Sequence, residues 1–230
     1  MIDAFLLGLL AQSSLVLAGL VACWVAIPRR VVGALAGFGA GAMLAAISFD
    51  LVAEAVELAS WQFSLWALVG VTIFLVGDRL VEARFGDEGA GGSMGIVVGS
   101  VVDGVPESII FGIQLATGFP VSASFLAAVM VSNVPQAVAP SADLAASGWS
   151  TRRIATLWSI VVLSCGIAAA LGFLAADLSS AVGGERMAAL AAGGLLAMLM
   201  NSLIPFSYER GGEFAGIGAV LGFCLSLAGT

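Results

Sequence analysis

The chain has 230 residues, is 60% hydrophobic and 10% charged, and has a mean hydropathy of +1.11. These values exclude a soluble domain and belong to a polytopic membrane protein. The net charge is −7, all eight basic residues are arginine, and histidine is absent. With no basic patch, nothing favours nucleic acid as a partner. With no histidine, the commonest transition-metal ligand is missing, as is the side chain that ordinarily titrates near neutral pH.

Eight apolar segments are predicted along the chain, each long enough to be read as a membrane-crossing helix. The first covers about Ala4 to Ile27 and ends at Pro28-Arg29-Arg30, and the second runs from Val31 to Glu57. The third covers Leu65 to Val81 and leads into a short acidic, Gly-rich loop, about residues 82–93. The fourth runs from Met94 to Thr117, the fifth from Val121 to Ala146, and the sixth from Arg153 to Ala176. The seventh runs from Arg186 to Phe206 and the eighth from Gly212 to Gly229. The first segment follows Met1-Ile2-Asp3 with no basic stretch before it, so it is read as a mature helix rather than a signal peptide. The whole of 1–230 is expected to form a single transmembrane domain.

Arginine placement predicts the orientation. If eight helices alternate, Arg29, Arg30, Arg79, Arg84, Arg152, Arg153 and Arg210 fall on one side and Arg186 on the other. The positive-inside rule makes the first side cytoplasmic, with both termini extracytoplasmic and the chain multi-pass in the cell membrane. Cys23, Cys165 and Cys224 lie far apart with no CxxC spacing. They indicate neither a disulfide framework nor a thiolate cluster, and are expected to be small core residues.

The fourth segment places Asp103 and Glu107 in the middle of an apolar run, four residues apart and so on one helix face, in line with Ser100 and Gln114. A carboxylate at the centre of a spanning helix costs about 2.5–3.5 kcal/mol on insertion scales, so two on one stripe need a purpose. Pro106 lacks an N–H and leaves the carbonyl of Val102 without its helical donor, adding another oxygen beside Asp103. In the fifth segment Asn133, Gln136, Pro140 and Asp143 share a face, with Ser132 beside it and Pro135 freeing the carbonyl of Val131. In the second, Met43, Ile47, Asp50, Glu54 and Glu57 form one stripe, while Gly33, Gly37 and Gly41 are spaced for close helix packing. Asp78-Arg79 is read as an interfacial anchor, and Met43 as core filler sooner than a ligand. Gly41–Leu44 and Gly193–Leu196 precede polar positions, Asp50 and Ser202, by similar distances, as an inverted-repeat transporter would show.

The motif Asp103-Gly104-x-Pro106-Glu107-Ser108 resembles the His-Asn-x-Pro-Glu-Gly signature in the fourth helix of Zrt/Irt-like (ZIP) metal-ion transporters. Ser132-Asn133-x-Pro135-Gln136-Ala137 resembles the signature of their fifth helix, and Gly41-Ala-Met43-Leu, Asp50-Leu51-Val52-x-Glu54-Ala55, Gly77-Asp78-Arg79-Leu80 and Leu203-Ile204-Pro205 are similar to the GufA-like prokaryotic branch. The resemblance extends over all eight segments in order. It implies an all-α bundle of three, two and three helices with an inverted repeat, often a homodimer, that carries divalent metal. It also implies a site made of Asp103, Gly104, Glu107, Ser132, Asn133 and Gln136, with Met43 from the second helix. The departures are large: Asp103 stands where the family has histidine, Gly104 where it has asparagine, and Asn133 and Gln136 where acids are expected. Leu163-Ser164-Cys165-Gly166 replaces a sixth-helix acid that some members contribute.

An all-oxygen set suits a hard cation, whereas zinc and iron prefer nitrogen or sulfur where these are available. Two carboxylates neutralise one divalent ion, so one metal is expected rather than an adjacent pair. The leading expectation is therefore a transporter, not an enzyme. Its substrate is a divalent cation such as zinc, manganese, iron or cadmium, it needs no other cofactor, and Asp50, Glu54 and Glu57 form an acidic entrance. The alternative is a protein of the same fold that has lost zinc transport and carries another solute or regulates. An intramembrane aspartyl protease using Asp50 and Asp103 is disfavoured, because the Gly-x-Gly-Asp arrangement is absent.

Overall fold

The computed structural model describes residues 1–85, 93–118, 121, 123–178 and 183–228. All the regular structure among these is helical: α1 (Ile2–Ala22), α2 (Arg29–Glu54), α3 (Ser60–Phe85), α4 (Ser93–Thr117), α5 (Ala123–Ala146), α6 (Thr151–Leu178), α7 (Gly184–Gly211) and α8 (Glu213–Ala228). Among the described residues six helices, α1, α2, α3, α5, α6 and α7, are long and apolar enough to cross a membrane. The helices coincide with the apolar segments expected from the sequence, with ends shifted by a few residues. The acidic loop is the exception, since 86–92 lie outside the described residues.

Side-chain size is distributed as lipid requires. Leu6, Leu10 and Leu17 on α1, Leu65, Leu68 and Ile73 on α3, and Ile160, Ile167 and Leu171 on α6 are exposed, while the interior is rich in alanine and glycine around a few large side chains such as Trp158, Phe111 and Phe125. An exposed apolar surface this extensive would aggregate in water and is at home among acyl chains. The protein is thus a multi-pass helical membrane protein.

Small residues let backbones touch. α2 packs along α8, α3 along α7, α4 along α6, and α1 lies against both α5 and α6. A methyl group on Gly37 would meet the carbonyl oxygen of Ala215, and one on Gly41 that of Ala219. From the other side, methyls on Gly218 and Gly222 would meet the carbonyl oxygens of Ala34 and Phe38. Reciprocal glycine contacts join α4 to α6 (Gly112 on Ala169, Gly172 on Ile109) and α3 to α7 (Gly70 on Leu190, Gly193 on Ala67). The glycine spacing in α2 therefore does mark a packing face.

Two helices carry a π turn, Ile47–Leu51 in α2 and Leu199–Leu203 in α7. Asp50 and Ser202 are each the fourth residue of their turn, so the echo between the two sequences has a structural counterpart. Such insertions widen the helix locally and re-aim side chains, often at functional positions. Cys165 is buried as expected, Cys23 is partly buried, and Cys224 is exposed on the outer face of α8, contrary to the expectation that all three are core residues. α3 continues beyond Asp78 to Phe85. Asp78 is partly buried and, in the last turn of the apolar stretch Ser60–Leu80, lines an apolar cavity of about 240 Å³ with Phe74, Val105, Pro106, Ile110 and Leu190, while Arg79 is exposed.

Candidate functional site

α4 enters the centre of the bundle flanked by α5, α6, α1 and α7, and its polar stripe faces inward. Asp103 is 4% exposed and Glu107 1%. Their hydrogen-bond donors are amides and a hydroxyl. Ser202 Oγ donates to Asp103 Oδ2 at 2.6 Å, and Gln136 Nε2 donates to the same oxygen at 3.3 Å. Gln12 Nε2 donates to Glu107 Oε2 at 2.9 Å. Gln12 Oε1 in turn accepts from Asn133 Nδ2 at 2.9 Å, and Asn133 Nδ2 also reaches the carbonyl oxygen of Ala11 at 3.3 Å. One network therefore ties Asp103 and Glu107 on α4 to Asn133 and Gln136 on α5, Gln12 on α1 and Ser202 on α7.

Of the seven residues expected at the metal site, Asp103, Glu107, Asn133 and Gln136 are brought together in this network. Ser132 is buried beside them, but its hydroxyl donates back to the carbonyl oxygen of Val129 in its own helix, and its backbone packs against Gly39. Met43 is fully buried in an apolar cluster with Ile47, Leu51, Phe111 and Phe125, which is its core-filler role. Gly104 faces α6 and α1: a methyl group there would stand 3.0 Å from Cys165 Sγ and 3.2 Å from Gln12 Oε1. Glycine at this position is what lets Gln12 reach across.

Gln12 has no place among the sequence-predicted ligands. Its signal was available, as an amide in the middle of an otherwise apolar helix, but α1 carries no motif and a lone glutamine is common helix glue. Ser202 stands out in the sequence only as the polar position that follows Gly193–Leu196; its reach to Asp103 comes from the tertiary structure.

Two oxygens of the network have no donor: Glu107 Oε1 and Gln136 Oε1 are buried and unpartnered. Both are acceptors. A buried acceptor without a partner costs about 1–3 kcal/mol, and more when charged, and a cation removes that cost for several oxygens at once. Among the described residues no three His, Cys, Asp or Glu side chains come together. The coordinating chemistry on offer is therefore a mixture of carboxylate, amide and hydroxyl oxygens.

The three predicted entrance residues divide into Asp50 and Glu54, which have partners on other helices, and Glu57, which has solvent. Asp50 Oδ2 accepts from Ser124 Oγ at 3.1 Å and Glu54 Oε1 accepts from Gln114 Nε2 at 3.5 Å, which joins α2 to α5 and to the end of α4. Glu57 is exposed in the turn after α2. Asp50 and Asp103 bond to different partners, Ser124 for the first and Gln136 and Ser202 for the second.

Replacing Gln12 with leucine, similar in size but unable to hydrogen-bond, is expected to lower stability by about 1–3 kcal/mol, by stranding Glu107 Oε2 and leaving Asn133 Nδ2 with only the carbonyl of Ala11. Thermal unfolding in detergent measures this, with Ser13→Ala as the control. Ser13 is less buried and bonds only to the carbonyl of Leu10 in its own helix, so its loss should matter little.

The fold and site define a class: a polytopic helical membrane protein with a buried, carboxylate-bearing polar network at the centre of its bundle. No protein-family model matches the chain, and no curated protein sequence matches it.

Proposed function

We propose that this protein is a divalent-cation transporter of the ZIP type, moving ions into the cytoplasm through a site between α4 and α5 with Asp103 and Glu107 as principal ligands. The observation that carries the reading is the pair of fully buried carboxylates with acceptor oxygens left over, Glu107 Oε1 and Gln136 Oε1, in the middle of a membrane-spanning bundle. Intramembrane carboxylates without basic partners mark ion pathways. Asn133 and Gln136 complete an oxygen shell, Ser202 orients Asp103, and Gln12 orients Glu107.

In this reading α4 and α8 also cross the membrane, giving eight helices in a 3+2+3 arrangement. α4 has 25 residues, ample for a span, and α8 has 16, enough for a thin or locally thinned bilayer. The packing supports an inverted repeat that exchanges α1 with α6, α2 with α7, α3 with α8 and α4 with α5. That exchange turns the α2–α8 pairing into α7–α3 and the α4–α6 pairing into α5–α1, both of which occur, and superposes the two π turns. Alternate exposure of a midplane site by one repeat rocking on the other is the mechanism such an architecture serves. Zinc, manganese, iron and cadmium are all candidate cargoes, and the all-oxygen shell favours the harder ions.

Uptake into proteoliposomes loaded with a metal-sensitive dye, across a panel of divalent ions, tests the proposal. Accumulation of at least one ion is expected. No accumulation of any ion, from folded and correctly inserted protein, would overturn it and leave a ZIP-like fold that serves another solute or a regulatory role.

A further inference from the structure

We propose that Asp50, Glu54, Gln114 and Ser124 form a second divalent-cation site, separate from the Asp103–Glu107 network, at the end of the bundle where α2 and α4 finish and α5 begins. Three helices build it. The π turn of α2 carries Asp50, with Glu54 four residues on, the last turn of α4 carries Gln114, and the first turn of α5 carries Ser124.

The two carboxylates alone would not make a site, because acidic side chains at a helix end are commonly just solvated. The amide of Gln114 is the independent observation. Its residue is 2% exposed, its Nε2 is held on Glu54 Oε1, and its Oε1 is buried without a partner. Because the Nε2 end is anchored on the carboxylate, the orphan oxygen on the same carbon is held beside Glu54. An amide oxygen accepts and never donates, so a carboxylate cannot satisfy it; a cation satisfies both. The set then reads as two carboxylates, one amide carbonyl and one hydroxyl, all oxygen, with charge to neutralise one divalent ion. Asp50 and Glu54 are half-buried, which leaves room for water to complete a six-coordinate shell. With neither nitrogen nor sulfur among the ligands, a hard ion such as Mn²⁺ is the fitting occupant.

The separation from the first network follows from helix geometry: Gln114 lies two turns beyond Glu107 on α4, about 10 Å along the axis. The contrast between the π turns points the same way. In α7 the fourth residue of the turn is Ser202, a donor committed to Asp103, whereas in α2 it is Asp50, an acceptor that adds charge. This proposal does not depend on whether the Asp103–Glu107 site transports.

The test is Mn²⁺ binding to the purified full-length chain in detergent, followed by loss of the electron paramagnetic resonance signal of free Mn²⁺. D50N/E54Q should weaken one class of site about a hundredfold and Gln114→Ala about tenfold, whereas Glu107→Gln should leave that class unchanged. Gln114→Ala exchanges neutral for neutral and carries the test if the double variant elutes as aggregate. Binding by D50N/E54Q and Gln114→Ala indistinguishable from the unmodified chain overturns the proposal. So does an unmodified chain that binds no Mn²⁺, or whose binding is lost in Glu107→Gln alone. A single bound ion lost in D50N/E54Q and kept in Glu107→Gln supports this site while counting against the central one, so the two proposals fail separately.

Discussion

Replacing Glu107 with alanine is expected to reduce divalent-ion uptake by about a hundredfold, equivalent to roughly 3 kcal/mol of lost ion stabilisation, while Glu57→Ala leaves it within about twofold. Glu107 contributes a buried carboxylate oxygen with no donor, and nothing else on its turn of α4 replaces that charge. Glu57 is exposed after the end of α2, where water already solvates it and salt screens any attraction for an incoming ion. Initial uptake rates in proteoliposomes, normalised to inserted protein, decide the matter. The reverse order of effects would move the transport site out of the α4–α5 network and toward the α2 end. Glu107→Gln separates charge from shape, because glutamine can still accept from Gln12. If it is as damaged as alanine, the charge is what the ion requires.

The second large effect concerns packing. Gly41→Ala is expected to destabilise the protein by about 1–3 kcal/mol although alanine is the better helix former, and Gly216→Ala to be neutral or stabilising by up to about 1 kcal/mol. A methyl on Gly41 overlaps the carbonyl oxygen of Ala219, and backbone cannot rotate away as a side chain could. At Gly216, on the partner helix of the same pair, a methyl meets nothing within 4 Å. Thermal unfolding followed by the monodisperse fraction in detergent compares the two. Equal behaviour would mean that the α2–α8 contact does not limit stability. The same loss is expected at Gly193, whose methyl would overlap the carbonyl oxygen of Ala67 on α3.

Much of this protein can be read in one dimension. The helix positions follow from apolar segment lengths, because a bilayer leaves the backbone no other way to satisfy its polar groups. The centrality of Asp103 and Glu107 follows from the cost of placing carboxylates in such a segment, and the four-residue spacing in α2 follows from the need for close backbone approach. Asn133 and Gln136 were legible as a stripe beside two prolines. Ser132 and Met43 came with the family pattern; in the structure the Ser132 hydroxyl donates to the carbonyl of Val129 in its own helix and the Met43 thioether sits in an apolar cluster.

By itself, then, the sequence determined the class of solvent, the helices and the helix face on which charge must be compensated, since all of these depend on residue type and spacing along one chain. Which groups do the compensating depends on how the helices pack. Gln12 is 95 positions from Glu107 and Ser202 is 99 from Asp103, and both meet their carboxylates only because α1 and α7 pack against α4. The same holds for the division of the α2 stripe into Asp50 and Glu54, which gain partners on α5 and α4, and Glu57, which stays in solvent. Periodicity assigns a residue to a face, but partner identity depends on helix pairing and on a π turn that shifts the register. Neither is encoded in local pattern; both are set by how closely the backbones pack.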